Sequence, residues 1–228
     1  MEYNDIKNNT DLILSNFEGL DKNIKNIKKK INIIDKNYRK LENNTILTND
    51  SSNSYLLFQM KILKIEYKYY RNLYDLILNK YFIEIYELSE YLISILLSLN
   101  KLEIENVEER KNIISRIIKL KKMKNINYGK LSEIINITIN NLKLINEFIK
   151  LIDIYIEKLN KKYKKGNIHN NNFILNVTHK KAKVVLEYNT YCGRFNKIID
   201  YFLSSTNSII NQINSSKFLK FYLTDKPI

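Results

Sequence analysis

A chain of 228 residues with four glycines and one proline, the proline at position 227, has little with which to turn its backbone sharply. Strand-rich folds need frequent tight turns, and those turns draw on Gly and Pro for backbone angles that other residues adopt only at a cost. Long helices joined by few loops are what remains. A hydrophobic content of 44% supplies a core and separates the chain from disordered tails.

The spacing of apolar residues places the helices. Ile13, Phe17, Leu20, Ile24, Ile27, Ile31, Ile34, Tyr38 and Leu41 follow one another at alternating steps of four and three, the a/d seam of a coiled coil. Lys22, Lys25, Lys28, Lys29 and Asp35 fall off the seam, which makes this a narrow stripe on a polar rod. Such a rod is marginal alone and needs a partner helix, so the nine residues form the expected self-association seam of a homo-oligomer or of a complex with a helical protein partner. Gly19, beside the seam, costs roughly 1 kcal/mol of helix propensity and is expected to mark a bend. Residues 1–46 read as a coiled-coil arm, and 47–54, a polar run, as a linker.

From Tyr55 to Leu99 the same spacing continues through Met60, Leu63, Tyr67, Tyr70, Tyr74, Ile77 and Tyr81, then through Ile85, Leu88, Leu92, Ile95 and Leu99. Leu56, Phe58, Ile62, Leu73, Phe82 and Leu96 lie on other faces, and a helix apolar on several sides is expected to be buried by several neighbours. A further helix should open at Glu108 and Glu109 and close on Lys119 to Lys124, each end matching the helix dipole. Another should run from Lys130 to Lys164 along Leu142, Ile145, Ile149, Ile152, Ile156, Leu159 and Tyr163. After a turn over 166–172 the last follows Val184, Tyr188, Tyr191, Phe195, Ile198 and Phe202. No longer period repeats. The expected fold is all-α: an elongated antiparallel bundle of long helices over 55–214, with the N-terminal coiled-coil arm and a C-terminal tail, 215–228, apolar enough around Phe218 to Tyr222 to dock.

Charge is distributed unevenly. Of 38 Lys and Arg, 24 lie after residue 100, against 11 of 24 Asp and Glu, so nearly all of the net charge of +14 sits in the later helices. Three clusters are candidates for an anionic partner: Lys119, Lys121, Lys122 and Lys124; Lys161, Lys162, Lys164 and Lys165; Lys180, Lys181 and Lys183. An anionic membrane surface or a nucleic-acid phosphate backbone would suit them, although helix C-termini also attract lysine for electrostatic reasons alone.

Groups that could perform chemistry are sparse. His169 and His179 lie in polar surroundings, and Cys192, the one cysteine, falls within a helical seam where it reads as a small core residue rather than a thiol nucleophile assisted by His179. Glu103, Glu105, Glu108 and Glu109 lack the spacing of a calcium loop and read as N-terminal helix charge. No phosphate-cradling, dinucleotide or zinc-protease motif occurs. No catalytic residue, metal, cofactor or small-molecule substrate is expected, and the chain reads as a non-enzyme. Tyr67, Tyr70, Tyr74 and Tyr81 could suggest base stacking, but their seam positions in the least basic stretch make them core. Met1 is followed by Glu2, Asp5 and Asp11 rather than a basic leader, and the apolar stretch 91–100 is far short of the ~20 residues that span a bilayer. An intracellular protein without signal peptide or transmembrane segment is expected.

The central stretch, Leu57-Phe58-Gln59-Met60-Lys61-Ile62-Leu63-Lys64-Ile65-Glu66-Tyr67, with Tyr69-Tyr70-Arg71-Asn72-Leu73-Tyr74 and Tyr86-Glu87-Leu88, resembles the Tyr-rich helical proteins encoded by large DNA viruses of protists and algae. The resemblance covers about 45 residues and implies a virus-encoded virion component, with no site residues to carry over. At fold level, long helices and a basic surface are similar to BAR-type membrane-curving dimers. The function expected is that of a non-enzymatic helical structural or assembly protein acting through coiled-coil self-association. The alternatives are a BAR-like membrane-surface binder using a basic face of 101–228 and a nonspecific nucleic-acid-associated protein.

Overall fold

The computed structural model describes residues 3–44, 51–99, 108, 111–112, 127–162 and 168–219. Among these the only regular structure is α-helix, in four long elements: α1 (Tyr3–Asn44), α2 (Ser51–Leu99), α3 (Tyr128–Lys162) and α4 (Ile168–Ser215). The all-α bundle expected from the scarcity of Gly and Pro is what the chain forms. Most of the helix expected between Glu108 and Lys124 lies outside the described residues.

Local interactions explain the helix ends better than the helix lengths. Asp5 sits in the first turn of α1, where the helix dipole favours negative charge. Asp21 with Lys25 (2.5 Å) and Asp35 with Arg39 (3.0 Å) are i, i+4 pairs on the same helix, each worth about 0.3–0.5 kcal/mol. That is too little to hold a 42-residue rod, so packing of its apolar stripe must do so. α1 continues as helix through Gly19. At the start of α3 the Asn127 side-chain oxygen accepts the Lys130 N–H at 3.0 Å, the work of an N-cap. α4 begins at Ile168, inside the segment expected to be a turn; the helix penalty of its asparagines, under ~0.7 kcal/mol each, is small beside the gain from continuing the helix. α2 likewise begins at Ser51, ahead of the expected Tyr55.

The chain forms two compact units, Met1–Asp11 with Tyr81–Asp200, and Leu12–Lys80 with Tyr201–Ile228. Their composition differs from the division expected at 46 and 54, since the seam helix shares a unit with the first part of α2 and the last part of α4. Apolar side chains that recur along a long helix can serve different neighbours at its two ends. α1, α2 and α4 each contribute to both units, while α3 belongs to the first alone.

In the unit built from 12–80 and 201–228, Phe17, Leu20, Ile24 and Ile27 of α1 are buried together with Leu63, Tyr74 and Ile77 of α2 and Phe202, Ile209 and Ile213 of α4. The Phe17 ring meets Tyr74 edge-on, with centroids 6.0 Å apart and planes at 71°. α2 and α4 run antiparallel: Ser216 Oγ donates to Glu66 at 3.0 Å, the Tyr69 hydroxyl donates to Gln212 at 3.4 Å, and the Lys80 ammonium lies 4.1 Å from the Tyr201 ring centre. Asn16 of α1 donates to the Asn207 side chain of α4 at 3.1 Å. Ser216 also accepts the Leu219 N–H at 3.2 Å, starting a last helical turn in which Leu219 is buried. Tail residues 220–228 lie outside the described residues.

In the unit built from 1–11 and 81–200, the core contains Tyr81, Ile85, Leu92 and Ile95 of α2, Leu142, Ile145 and Ile152 of α3, and Tyr188, Tyr191 and Phe195 of α4. The Tyr191 ring stacks on Tyr91 (6.4 Å) and Phe195 (5.9 Å). Three expected seam positions give way to neighbours. On α3, Phe148 and Tyr155 are buried and Ile149 and Ile156 half-buried; on α4, Ile199 is buried and Ile198 half-buried. A core-facing stripe spans 100° or more of a helix, wider than an a/d line, and the larger aromatic ring takes the interior place on α3. Polar groups enter this core mostly by satisfying themselves. The Thr138 hydroxyl bonds to the Ile134 carbonyl at 2.8 Å and meets the hydroxyl of Ser89. Asn141 is fully buried with neither amide atom bonded, and the buried Tyr191 hydroxyl is likewise without a hydrogen bond.

Three substitutions test this packing. Tyr74→Ala should cost about 3–5 kcal/mol by opening a cavity against Phe17, whereas Gly19→Ala, whose added methyl meets no atom within 4 Å, should gain up to ~1 kcal/mol of helix propensity. Urea midpoints measure both. Asn141→Leu, which removes two unbonded polar atoms from the core, should raise the midpoint by the equivalent of ~1–3 kcal/mol.

Candidate functional site

Seven of the nine residues expected to bind a second copy, Ile13, Phe17, Leu20, Ile24, Ile27, Ile31 and Ile34, are at most 7% exposed in the single chain. Tyr38 is half-buried and Leu41 is 36% exposed. The stripe even extends toward the N-terminus, through Thr10 and Ile6, both fully buried. The α1 seam is therefore covered by the chain's own helices along most of its length, with Phe17 on Tyr74 as its best-defined contact. A free coiled-coil arm is not what α1 forms.

The outward face of α2 is where the expectation from sequence fails. Phe58, which was expected to be covered by a neighbouring helix, is 59% exposed, and it belongs to a row of exposed large side chains: Tyr55 (62%), Ile65 (69%), Tyr69 (51%) and Leu76 (66%). Ile62, half-buried, and Asn72 complete the row. Steps of 3, 4, 3, 4, 3 and 4 along 55, 58, 62, 65, 69, 72 and 76 make this a second heptad seam, parallel to the buried one through Met60, Leu63, Tyr70, Tyr74 and Ile77. The signal was present in the spacing, but a helix with two seams does not reveal which of them its own chain will cover. Tyr70, Tyr74 and Tyr81 are buried as expected of core residues, while Tyr67 is half-buried.

Of the basic candidates, Lys119, Lys121, Lys122, Lys124, Lys164 and Lys165 lie outside the described residues. Lys161 and Lys162 are exposed at the end of α3, and Lys180 and Lys183 are exposed on α4. Lys181 is half-buried and its ammonium donates to Asp153 of α3, which leaves it less of its charge to offer a partner. On α4, Leu175 and Leu186 are more than 60% exposed; eleven residues, close to three turns, separate them, so they share a side of the helix.

Among the described residues, those with chemical potential do not converge. Cys192 and His179 are both on α4, thirteen residues and so roughly 20 Å apart along the axis, which separates the imagined thiol–imidazole pair. Burial pushes the Cys192 thiol up from its ordinary range, away from the thiolate form, with a hydrogen bond to Tyr188 opposing it. Among the described residues no three His, Cys, Asp or Glu side chains gather, and no helix is long and apolar enough to cross a membrane. Glu108 is exposed; Glu103, Glu105 and Glu109 lie outside the described residues.

Burial also pushes the Tyr81 and Tyr191 hydroxyls well above 10, with nearby Cys192 and Tyr81 adding to the effect on Tyr191. These groups stay protonated in the fold while the unfolded chain ionises near pH 10, so their contribution to stability is intact below that pH and is lost as pH rises above it. Urea unfolding between pH 9 and 11 (roughly, bracketing the free-tyrosine pKa) should show a loss approaching ~1.4 kcal/mol per pH unit for each of the two. A flat profile would place the hydroxyls in contact with water.

Comparison with known protein families, with curated proteins and with solved structures finds no match to this chain.

Proposed function

We propose that this chain is a non-enzymatic helical structural or assembly protein that acts by presenting an apolar helix face to another helix. The observation that carries the reading is the exposed α2 row of Tyr55, Phe58, Ile65, Tyr69 and Leu76. Contiguous apolar patches beyond a few hundred Å² are uncommon on monomers and mark interaction surfaces. Heptad spacing makes a helix the fitting partner. Placement in a virus particle rests on the resemblance of the tyrosine-rich central stretch alone.

Fractionation of native material tests the reading. The protein should travel in an assembly larger than one chain, and a variant with Ile65→Glu and Leu76→Glu should be released from it while keeping its helix content, because exposed positions tolerate such changes within about 0.5 kcal/mol. Recovery of the native protein as a single chain would contradict it.

A second reading, binding to an anionic lipid surface, is favoured by the pairing on α4 of exposed Leu175 and Leu186 with exposed Lys180 and Lys183. Interfacial helices combine apolar insertion with basic attraction, whereas phosphate contacts on nucleic acid leave exposed leucines without a role. Flotation with vesicles of phosphatidylcholine, with or without phosphatidylserine, separates the readings. Binding only to the anionic vesicles, lost in Leu186→Glu, would support this one; no binding at low salt would remove it.

A further inference from the structure

The outer seam of α2 has a chemistry that specifies its occupant. We propose that the row Tyr55, Phe58, Ile65, Tyr69 and Leu76 pairs, parallel and in register, with the same row of a second copy of this chain. The inference rests on the assembly reading above and names its partner.

Area is the first argument. Five side chains that expose half to two thirds of roughly 200 Å² each present about 600 Å² of apolar surface per copy. Two such faces, with the aliphatic stems of the lysines beside them, reach the ~1,200 Å² of total burial at which specific interfaces begin. A two-fold pair uses one patch twice, so a single seam suffices.

Charge supplies the orientation. With Tyr55, Ile62, Tyr69 and Leu76 at a and Phe58, Ile65 and Asn72 at d, the flanking g positions hold Lys61, Lys68 and Asp75, and the flanking e positions hold Gln59, Glu66, Leu73 and Lys80. In a parallel pair each g residue faces the e residue five positions on in its partner. Asp75 then faces Lys80, twice by symmetry, and Lys68 faces Leu73, so no like charges meet; Glu66, opposite Lys61, is held by Ser216 just past α4 and adds nothing to the pairing. An antiparallel pair of the full rows would instead set exposed Lys68 against Lys68. Asp75 now pairs with Arg71 at 2.8 Å and Lys80 lies over Tyr201, both at the surface, where such contacts exchange readily. Asn72, the polar member of the seam, meets its own counterpart only in the parallel register, which is how a seam asparagine fixes alignment.

Sedimentation and disulfide trapping of the full chain test this together. The wild-type protein should sediment as a dimer at micromolar concentration, and the variant with Ile65→Glu and Leu76→Glu as a single chain with unchanged helix content, its dissociation constant raised at least ~100-fold. Under oxidised glutathione, Phe58→Cys and Leu76→Cys should each form linked dimers on their own, since each position faces itself, while the wild type, whose Cys192 is buried, should not. Linking only when the two variants are mixed would overturn the parallel register. A wild-type chain that sediments alone would overturn the proposal, and if it still enters a larger assembly in native material, only the identity of the partner falls and the assembly reading stands.

Discussion

Burial of the inner stripe of α2, from Met60 through Leu63, Tyr74, Tyr81, Ile85 and Leu92 to Leu99, is the condition on which the other helices depend. The α1 rod is polar on most of its surface and its ion pairs contribute only tenths of a kcal/mol each, so it holds its length by laying its own stripe against apolar neighbours such as Tyr74. In one unit the inner stripe serves α1 and the end of α4; in the other its continuation joins the cores of α3 and the first part of α4. At about 1.5–3 kcal/mol for each buried large side chain, these stripes outweigh the caps and salt bridges among the described residues.

Much of this was legible in the spacing of residues. Heptad steps picked out Met60, Leu63, Tyr70, Tyr74, Ile77, Tyr81, Ile85, Leu88, Leu92, Ile95 and Leu99, all buried, together with Tyr67, which is half-buried. The same steps marked the α1 seam, which from Ile13 to Ile34 is buried by the chain's own helices rather than held out for a second copy. Periodicity states that a helix will cover a stripe; it does not state whose helix. That is why a seam that looked made for a second chain is occupied by the first. The errors at Ile149, Ile156 and Ile198 share a cause, because a strict a/d line is narrower than the face a helix buries in a bundle.

The candidate site was harder to read. Phe58 and Ile62 looked like additional core, since apolar residues on several faces of one helix normally signal neighbours on several sides. Whether such neighbours exist within the same chain depends on how many helices the tertiary structure brings up, which local pattern does not encode. Leu76 and Ile65 gave no separate warning for the same reason. The basic clusters were visible from composition alone, but the pairing of Lys181 with Asp153 of α3 needed the fold. Cys192 was read correctly as a core residue from its place in the last helical seam.

α2 carries one seam turned inward and one turned outward, and thiol labelling along the helix distinguishes them. Single cysteines placed at 63, 65, 70 and 76, in a chain whose own Cys192 is buried, would be labelled at a dilution where chains are separate. Reaction at 65 and 76 should be rapid, near the rate of a free thiol, and reaction at 63 and 70 slower by about 100-fold or more, as core openings worth ~3 kcal/mol would impose. Equal rates at all four positions, or protection at 65 and 76 in the separated chain, would contradict this arrangement.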